Sequence, residues 1–473
     1  MARHVFAQAN ALHFAAVTDT PPAVLPGGQL LYFGWQAAPI APSAPGPLLL
    51  RWATRTPADG ATRLRIAAAQ FMRSSGKIMA SLAGSGRVLG TFDIRFPSLF
   101  QPYEITLAPG DGAAAVREGV TLKMTEGTLP FWAWTDGDGC PSELRPHLLV
   151  PGAADPMTEF GARLSSMACI QSFGWEDGCV LDGLLDLAET RGQDTLRDTA
   201  RRHFALYLRD ERQIFESRLL FSDIEGVLPL AALARLQPAH PLLELLVPFC
   251  QQKLDTERAV IDGNTTTSEG AYTIAYPLAV IGRARRSDEV ERLALTQLRV
   301  RQRRLFDGRT FYRSSAAGGA KGNRNWARGI AWQLLGLTRT LGVLRNRNDI
   351  TDLLNDLRDF AAWVQGFQRV DGLWSVFVDE TDLAPDTAGS AGIAAALALG
   401  GRDGWLPPSA GASAMKALGG LRGHLTSDGF LGGVAPANLG GGEPLQRSDY
   451  RVIFQMSMGL MAQLVAALEL RLR

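Results

Sequence analysis

Carboxylates and aromatic side chains are the residues of this chain that are best suited to chemistry, and several of them come just before apolar helical segments. Glu269 lies within residues 265–276, close to Tyr272, and Asp223 and Glu225 precede another such segment. Two carboxylates can divide acid and base roles across a glycosidic bond, and aromatic faces pack against the C–H surfaces of sugars. These residue types therefore favour chemistry on carbohydrates.

Acids at helix starts also have a structural interpretation. Ser222 or Asp223 can cap the helix that follows, with Glu225 in its first turn. Ser268 and Glu269 can play the same parts one segment later. Capping needs one acid, whereas the earlier segment has two, and an acid flanked by tyrosines at a cleft can have a raised pKa and donate a proton. Both interpretations stay open at this point.

The string Trp326-Ala-Arg-Gly-Ile-Ala-Trp332 is the most specific local pattern of the chain. Arg328 falls at a helix start, where a guanidinium opposes the helix dipole, and this placement indicates an anionic ligand. Gly329 allows the close approach of a ligand or of a neighbouring helix. The structural alternative is a pair of core tryptophans, Trp326 and Trp332, with a surface arginine between them.

Three further residues are candidates for substrate contacts. Trp175 begins a helical segment, ahead of two acids that are more typical of a first turn than of catalysis. The turn Asp371-Gly-Leu-Trp374 predicts that Trp374 lies at the rim of the same cleft. Arg313 falls in a Gly/Ser-rich loop, residues 312–319, of a kind that can be mobile or close over a substrate.

Composition argues against several functions. The chain of 473 residues has 48 Lys+Arg and 47 Asp+Glu, and its net charge of +1 argues against a general nucleic-acid binder. No phosphate-binding loop, His-Glu-x-x-His motif or Gly-x-Ser-x-Gly nucleophile elbow occurs. Only six histidines are present, which argues against a histidine-based metal centre. We therefore expect neither a metal nor an organic cofactor.

The cysteines and the hydropathy pattern bear on the cellular compartment. Cys140, Cys169, Cys179 and Cys250 form no C-x-x-C pair, which is typical of free thiols in a reducing compartment. No run of about 18 apolar residues occurs, and the first residues lack a long apolar segment. We expect a soluble, cytoplasmic protein without membrane contact, and export by a signal outside this sequence stays open.

After about residue 158 the apolar residues follow a helical period, and six segments place small, polar or aromatic residues just before an apolar helix. These segments begin at residues 175, 222, 268, 326, 386 and 448. Amphipathic, charged helices lie between them, for example at residues 194–210 and 288–304. A buried inner helix followed by a half-exposed outer helix, repeated six times, predicts an (α/α)6 barrel whose inner helices begin at one cleft. A helical solenoid is the alternative.

Residues 1 to about 150 follow a different pattern. Short apolar runs alternate with turn residues, at 29–35, 48–52, 63–67, 77–81, 119–124 and 129–134. This pattern predicts an antiparallel β-sandwich. The predicted fold is thus multidomain α and β, with an accessory sandwich at residues 1–150 and a barrel at 158–473. We expect the sandwich to pack against the barrel or a partner subunit, with Trp35 and Trp52 in its core rather than on sugar.

Over about residues 160–473 the chain resembles the (α/α)6-barrel uronyl hydrolases of glycoside hydrolase families 88 and 105, and the related glucuronidase family 154. The string from Trp326 to Trp332 is similar to their Trp-Gly-Arg-Gly-Asn-Gly-Trp. Asp371-Gly-Leu-Trp374, followed by Asp386-Thr-Ala-Gly-Ser-Ala391, resembles their Gly-Leu-Trp and Glu-Thr-Ser-x-Ser-Ala. Glu269-Gly-Ala-Tyr272 falls at the proton-donating Asp of these families, and Asp223 falls at a second family Asp.

Two departures from the family pattern favour family 154. The family acid is replaced by Glu269, and a histidine that the unsaturated-uronyl enzymes place before the Trp-x-Arg-Gly string is absent, with Arg313 nearby instead. Those enzymes hydrate a 4,5-double bond with one Asp as acid and base. A longer Glu and an additional Arg suit the carboxylate of an intact uronic acid better.

The resemblance implies an exo-acting glycoside hydrolase that removes a terminal β-linked uronic acid, namely glucuronic acid, from an oligosaccharide or glycoconjugate. Glu269 would protonate the leaving oxygen. Asp223 would activate water or stabilise the oxocarbenium-like state, and Glu225 is the alternative residue for that role. The implied substrate-binding residues are Arg328, Arg313, Trp326, Trp332, Trp374, Tyr272 and Trp175. The class of protein also suggests a homodimer. The alternatives are an unsaturated glucuronyl or rhamnogalacturonyl hydrolase acting on lyase products, a polysaccharide lyase, and a non-catalytic carbohydrate-binding protein.

Overall fold

The computed structural model describes residues 10–18, 25, 31–44, 46–53, 60–208 and 220–468. Strands dominate the part before residue 151, and helices dominate the part after it. Among the described residues, no helix combines the length and the apolar composition that crossing a lipid bilayer requires.

The strands of the first part all pair antiparallel. They are β1 (Ala11–Phe14), β2 (Ala16–Thr18), β3 (Gln36–Ile40), β4 (Leu48–Arg51), β5 (Arg63–Ala67), β6 (Ser75–Leu82), β7 (Val88–Arg95), β8 (Pro102–Thr106), β9 (Val120–Glu126), β10 (Phe131–Asp136) and β11 (His147–Val150). Their orders in the sheets are β1-β11-β5-β8, β2-β4-β9-β6-β7 and β10-β3. Buried side chains of all three sheets meet in one apolar cluster.

Most of the predicted apolar runs of this part are strands, but two predictions need correction. Residues 29–30 lie outside the described residues, and the rest of the predicted run 29–35 contains a 3₁₀ turn, Tyr32–Gly34, rather than a strand. A helix, α1 (Asp111–Glu118), interrupts the strands where none was predicted. Trp35 and Trp52 are buried, as expected of core residues. The sandwich packing of the sheets stays a prediction.

The second part is an (α/α)6 barrel. Its helices are α2 (Pro156–Ser165), α3 (Trp175–Arg191), α4 (Asp194–Tyr207), α5 (Pro229–Leu236), α6 (Leu246–Gln252), α7 (Tyr276–Arg285), α8 (Asp288–Leu305), α9 (Ala327–Val343), α10 (Thr351–Gln365), α11 (Thr387–Arg402), α12 (Pro408–Arg422), α13 (Asn438–Arg447) and α14 (Met456–Ala467). The inner helices are α3, α5, α7, α9, α11 and α14. Each of them contacts the next, and α14 returns to α3, so the ring is closed and the solenoid alternative is wrong.

Small residues let the inner helices approach one another closely. A Cβ on Gly459 of α14 would lie 2.2 Å from the carbonyl oxygen of Cys179 in α3, and one on Gly183 of α3 would lie 2.5 Å from the carbonyl oxygen of Gly459. Real Cβ atoms do not approach other atoms so closely, which means that only glycine fits where α3 and α14 close the ring. A Cβ on Gly336 of α9 would meet the backbone of Ala271 in the same way.

A small antiparallel sheet within the barrel part was not predicted. It consists of β12 (Thr265–Thr267), β13 (Tyr312–Ala316) and β14 (Lys321–Arg324), in the order β12-β13-β14. The Gly/Ser-rich segment around Arg313 is therefore a central strand with a hairpin rather than a mobile loop. Most side chains of these strands are polar, so the sequence lacks the alternation of apolar and polar residues that predicts a strand.

The two parts of the chain share a buried interface. The guanidinium Nη1 of Arg65 in β5 lies 2.6 Å from Oδ2 of Asp428, in the turn between α12 and α13. Both side chains are about 1% exposed. The expected packing of the first part against the barrel is therefore present, while the division into domains at 1–150 and 158–473 stays a prediction.

The closure of the ring by glycine can be tested through stability. We expect Gly459→Ala to lower the apparent melting temperature, at a cost of about 1–3 kcal/mol or more, because its Cβ would overlap backbone atoms of α3. Gly419→Ala is the matched control: this glycine lies in α12 with no atom within 4 Å of an added Cβ, so the change should stabilise the protein by about 0.5–1 kcal/mol. Equal Tm values for the two variants would contradict the proposed close contact.

Candidate active site

A cavity of about 260 Å³ lies where the inner helices begin. Residues from six parts of the barrel form its wall, namely Trp175, Glu225, Leu228, Glu269, Tyr272, Thr273, Arg313, Trp326, Arg328, Trp332, Ala437 and Asn438. The volume is near the lower end of small-molecule sites, which start at about 300 Å³, and it suits one sugar ring better than several.

The strand pair β12–β13 brings Arg313 next to Glu269. The backbone N–H of Ser268, just after β12, donates to the carbonyl oxygen of Arg313 at 2.8 Å. Glu269 follows directly, and its Oε2 accepts a hydrogen bond from the Ser268 hydroxyl at 3.3 Å. The chain then enters a π-helical turn, Ala271–Ala275, before α7. Such turns are frequent at functional sites, since they change the direction of side chains within a helix.

One guanidinium bridges two carboxylates at the wall of the cavity. Nε of Arg313 donates to Oε1 of Glu269 at 2.5 Å, and Nη2 of Arg313 donates to Oε1 of Glu225 at 3.4 Å. Glu269 is 6% exposed, and the side chain of Glu225 is 23% exposed. The single positive charge of Arg313 thus lies next to two acids, and Glu269 is the closer of the two.

The electrostatic environment separates the two acids. Burial raises the pKa of Glu225 to about 8, and the charge of Glu269 adds to this effect, whereas Arg313 acts in the opposite direction. Glu225 therefore holds a proton at neutral pH. Glu269 has the close, charge-assisted hydrogen bond to Arg313. The two acids therefore lie in different electrostatic surroundings.

Asp223 lies near this pair but outside the cavity wall. Its carboxylate accepts the backbone N–H of Glu225 at 2.8 Å and caps the 3₁₀ turn Ile224–Val227. The structural interpretation of the acid at this position is therefore correct. Burial raises the pKa of Asp223 as well. Of the two acids in the segment, Glu225 is the one that reaches the cavity.

Arg328 is fully enclosed at the start of α9. Its Nη2 donates to the carbonyl oxygen of Pro436 at 2.6 Å and to Oε1 of Gln446 at 2.9 Å. Its Nε lies 3.2 Å from Oδ2 of Asp386, an ion pair without hydrogen-bond alignment. The guanidinium also lies 4.8 Å from the centroid of the Trp326 ring. Arg328 is thus a core residue that faces the cavity, rather than a surface arginine.

Aromatic rings form one side of the wall. Tyr272 and Trp332 stack with centroids 6.1 Å apart and planes 16° apart, and Trp175 meets Trp332 edge-on at 5.8 Å. The Tyr272 hydroxyl donates to Oδ2 of Asp182 at 2.6 Å, so the ring cannot rotate away without breaking a buried bond. This stacked surface is of the kind against which sugar rings pack.

Trp374 does not belong to the site, and its predicted place at the rim is wrong. The residue is completely buried, and its indole N–H donates to the carbonyl oxygen of Val364 at 2.8 Å, at the end of α10. Residues of the last two repeat segments also stay outside the wall. Asp386 caps α11, and Arg451 binds the carbonyl oxygens of Ala384 and Pro385.

Thr273 and Asn438 are wall residues that the sequence analysis missed. Among the residues that the structure describes, neither Oγ1 of Thr273 nor Oδ1 of Asn438 has a hydrogen-bond partner. Thr273 follows Tyr272 within an apolar helical segment, which gives a pattern indistinguishable from core. Asn438 is the first residue of α13. No inner helix is predicted to begin there, so the repeat pattern does not point to this residue.

The C-terminal half of the chain matches a known family. Residues 281–469 match the family described as Glycosyl Hydrolase Family 88. This segment is less than half of the chain. No curated protein matches the chain.

Solved structures share the fold of the barrel at low sequence identity. A family 105 glycoside hydrolase from C. acetobutylicum ATCC 824 is 18% identical, with a TM-score of 0.59 over 67% of this chain and 99% of that chain. A family 88 glycosyl hydrolase from Bacteroides vulgatus is 17% identical, with a TM-score of 0.53 over 66% and 96%. An unsaturated glucuronyl hydrolase specific for heparin is 14% identical, with a TM-score of 0.52 over 66% and 95%.

The resemblance to families 88 and 105 is thus supported by a family match and by the fold, and the preference for family 154 stays a prediction. Residues 281–469 are thus similar to glycoside hydrolase family 88, and solved structures of families 88 and 105 share the fold of the barrel.

Proposed function

We propose that this chain is an exo-acting hydrolase that removes a terminal uronic acid, unsaturated between C4 and C5, from oligosaccharides released by polysaccharide lyases. One observation carries the proposal: two acids on one guanidinium, a second buried arginine and a stacked aromatic wall share a cavity sized for one sugar ring. The family 88 match supports this substrate class, as does the fold shared with an unsaturated glucuronyl hydrolase.

Arg328 is the better partner for the carboxylate of the sugar. Arg313 already compensates Glu269 and Glu225, whereas Nη1 of Arg328 makes no hydrogen bond to any residue that the structure describes. A buried guanidinium binds a carboxylate strongly because little water competes for it. The sugar ring would then lie against Tyr272 and Trp332.

The acid pair carries out both proton transfers that hydration of the double bond requires, one donation and one abstraction. Glu225 gives its proton to C4 of the sugar, and Glu269 takes a proton from the water that adds to C5. The resulting hemiketal opens and releases the remaining oligosaccharide as an alcohol. The sequence analysis assigned the donor role to Glu269 and the water to Asp223; the raised pKa of Glu225 and the capping role of Asp223 support this different assignment.

Hydrolysis of an intact β-glucuronide is the second candidate function, and it is the one that the sequence analysis preferred. The observation that favours it is again the pair of acids, Glu225 and Glu269, on the guanidinium of Arg313. In such a reaction one acid protonates the glycosidic oxygen and the other activates water. Hydration of a double bond makes less use of two separate groups than glycoside cleavage does.

A side-by-side assay distinguishes the two reactions. The substrates are an unsaturated glucuronyl disaccharide produced by a lyase and para-nitrophenyl β-glucuronide. We expect the ultraviolet absorbance of the conjugated double bond to fall with the first substrate. Release of nitrophenol alone would replace the proposal by the intact-glucuronide function. An increase in absorbance on an intact polysaccharide would identify a lyase, and no turnover of any of them would refute the proposed hydrolase.

The role of Glu225 predicts a specific pH dependence. Because a raised pKa keeps Glu225 protonated below about pH 8, kcat/KM should fall as the pH rises through about 8. Glu225→Gln should lose about 10²–10⁴-fold in kcat and abolish this alkaline decline. Asp223→Asn retains a capping side chain, so its pH profile should match that of the wild type. An alkaline decline that persists in Glu225→Gln would show that another group is the acid.

The unpartnered hydroxyl of Thr273 provides a further test. Thr273→Val removes Oγ1 at nearly constant shape, so Tm should stay equal or rise, since no hydrogen bond is lost within the protein. If the hydroxyl binds sugar, kcat/KM should fall about five- to tenfold. Thr340→Val is the control, because Thr340 is also buried without a hydrogen-bond partner for Oγ1 but lies outside the cavity wall. Equal kinetics for both variants would exclude a sugar contact at Thr273.

A further inference from the structure

We propose that the N-terminal part of the chain positions the aromatic wall of the cavity, through a loop at residues 96–101 that contacts Glu176, next to Trp175, and the segment around Phe454, whose ring packs against Trp175. Ser98 is the main positioning residue in this loop. The inference rests on the proposed function only for its kinetic readout, because binding of a sugar acid can be measured without turnover.

The first contact is with the start of α3. The hydroxyl of Ser98 donates to Oε1 of Glu176 at 3.3 Å, and both residues are buried, at 2% and 5% exposure. Glu176 follows Trp175 in the first turn of α3. No side chain caps this helix at Gly174, and the contact from Ser98 goes to the Glu176 side chain within the first turn. Trp175 is thus held next to a contact from the N-terminal part.

The second contact is with the segment that leads into α14. The side-chain N–H of Gln101 donates to the carbonyl oxygen of Ile453 at 3.3 Å. In return, the side-chain N–H of Gln455 donates to the carbonyl oxygen of Phe100 at 2.8 Å. Phe454, between these two residues, meets Trp175 edge-on with centroids 6.0 Å apart. The loop therefore fixes both the helix that carries Trp175 and the ring that packs behind it.

Two residues of the loop have strained backbone conformations. Phe96 has a φ of 50° and Phe100 has a φ of 67°, a left-handed conformation that is rare for bulky residues. The side chain of Gln101 accepts the backbone N–H of Ser98 at 3.0 Å and stabilises the turn. Strain of this kind persists where the surrounding structure requires it, and it concentrates at functional sites. In this loop it orients Ser98 and the Phe100 carbonyl toward the barrel.

Glu176 suits this contact as a neutral group. Burial raises its pKa to about 8, with Ser98 and Arg328 acting in the opposite direction and Asp177 adding to the effect. The carboxylic acid accepts from Ser98 without placing an uncompensated charge next to the cavity. Glu176→Gln is therefore a conservative variant that should preserve the contact.

The experiment compares two single hydrogen-bond deletions at the same interface. Ser98→Ala removes the contact at α3. Tyr450→Phe is the matched control, since it removes a 2.8 Å bond from the Tyr450 hydroxyl to the carbonyl oxygen of Asp93, which also joins the N-terminal part to the barrel but lies away from the cavity wall. The readouts are KM and kcat on the substrate that is turned over, the Kd of D-glucuronate by calorimetry, and Tm.

We expect Ser98→Ala to raise KM and Kd about three- to tenfold, with kcat within about twofold of the wild type. Ser98→Thr, which keeps the hydroxyl, and Tyr450→Phe should stay close to the wild type in both. In a Trp175→Ala background, Ser98→Ala should have no further effect, because the residue that it positions is gone.

Three results would overturn the inference. The first is an equal rise in KM and Kd in Tyr450→Phe, which would indicate general docking instead of positioning. The second is unchanged KM and Kd in Ser98→Ala. The third is a wild type that neither binds D-glucuronate nor turns over either uronide. A wild type that binds D-glucuronate without turnover would refute the proposed hydrolase alone, and Kd would still decide the positioning role.

Discussion

The inner helices can surround one cavity only if the first and the last of them meet, and in this chain α3 and α14 meet backbone to backbone. Gly183 and Gly459 make this contact possible, because a Cβ at either position would overlap the facing helix. Closure arranges the starts of the inner helices around one cavity. Residues that are far apart in sequence, from Trp175 to Asn438, thereby reach one cavity. The charged and aromatic groups of the site depend on this geometry.

Within that cavity, two acids of the same type lie in different surroundings. Both Glu225 and Glu269 contact Arg313, yet the contact at Glu269 is shorter by almost 1 Å. Burial favours the neutral form of Glu225, and the neighbouring negative charge has the same effect. Acids whose surroundings differ in this way can take different parts in proton transfer, which is the basis of the roles that we propose for them.

The sequence alone predicted the barrel and most of the wall, because both follow from a repeated local pattern. Each inner helix is nearly all apolar and follows a polar or aromatic segment, and this signal placed Trp175, Glu269 and Arg328 at one rim. Other features depend on contacts that no local pattern reports. Trp374 lies in the core because α10 packs over it, and Asp223 caps a turn while Glu225, two residues later, points into the cavity.

The polar strands β12 to β14 were not predicted either, because their pairing also depends on contacts that no local sequence pattern reports. Their pairing brings Arg313 to Glu269 across 44 positions of sequence, and their side chains show no alternation of apolar residues. The interface between the N-terminal part and the barrel also depends on buried pairs between distant residues, such as Arg65 and Asp428. Such pairs become visible only when the chain is folded.

We propose that one terminal uronic acid occupies the cavity with its carboxylate on Arg328 and its ring against Tyr272 and Trp332. A crystal structure of the Glu269→Gln variant with an unsaturated glucuronyl disaccharide tests this arrangement. We expect a carboxylate–guanidinium contact at Arg328, with C4 of the sugar facing Glu225. A sugar bound elsewhere, or in the cavity with its carboxylate turned away from Arg328, would refute the proposed binding mode.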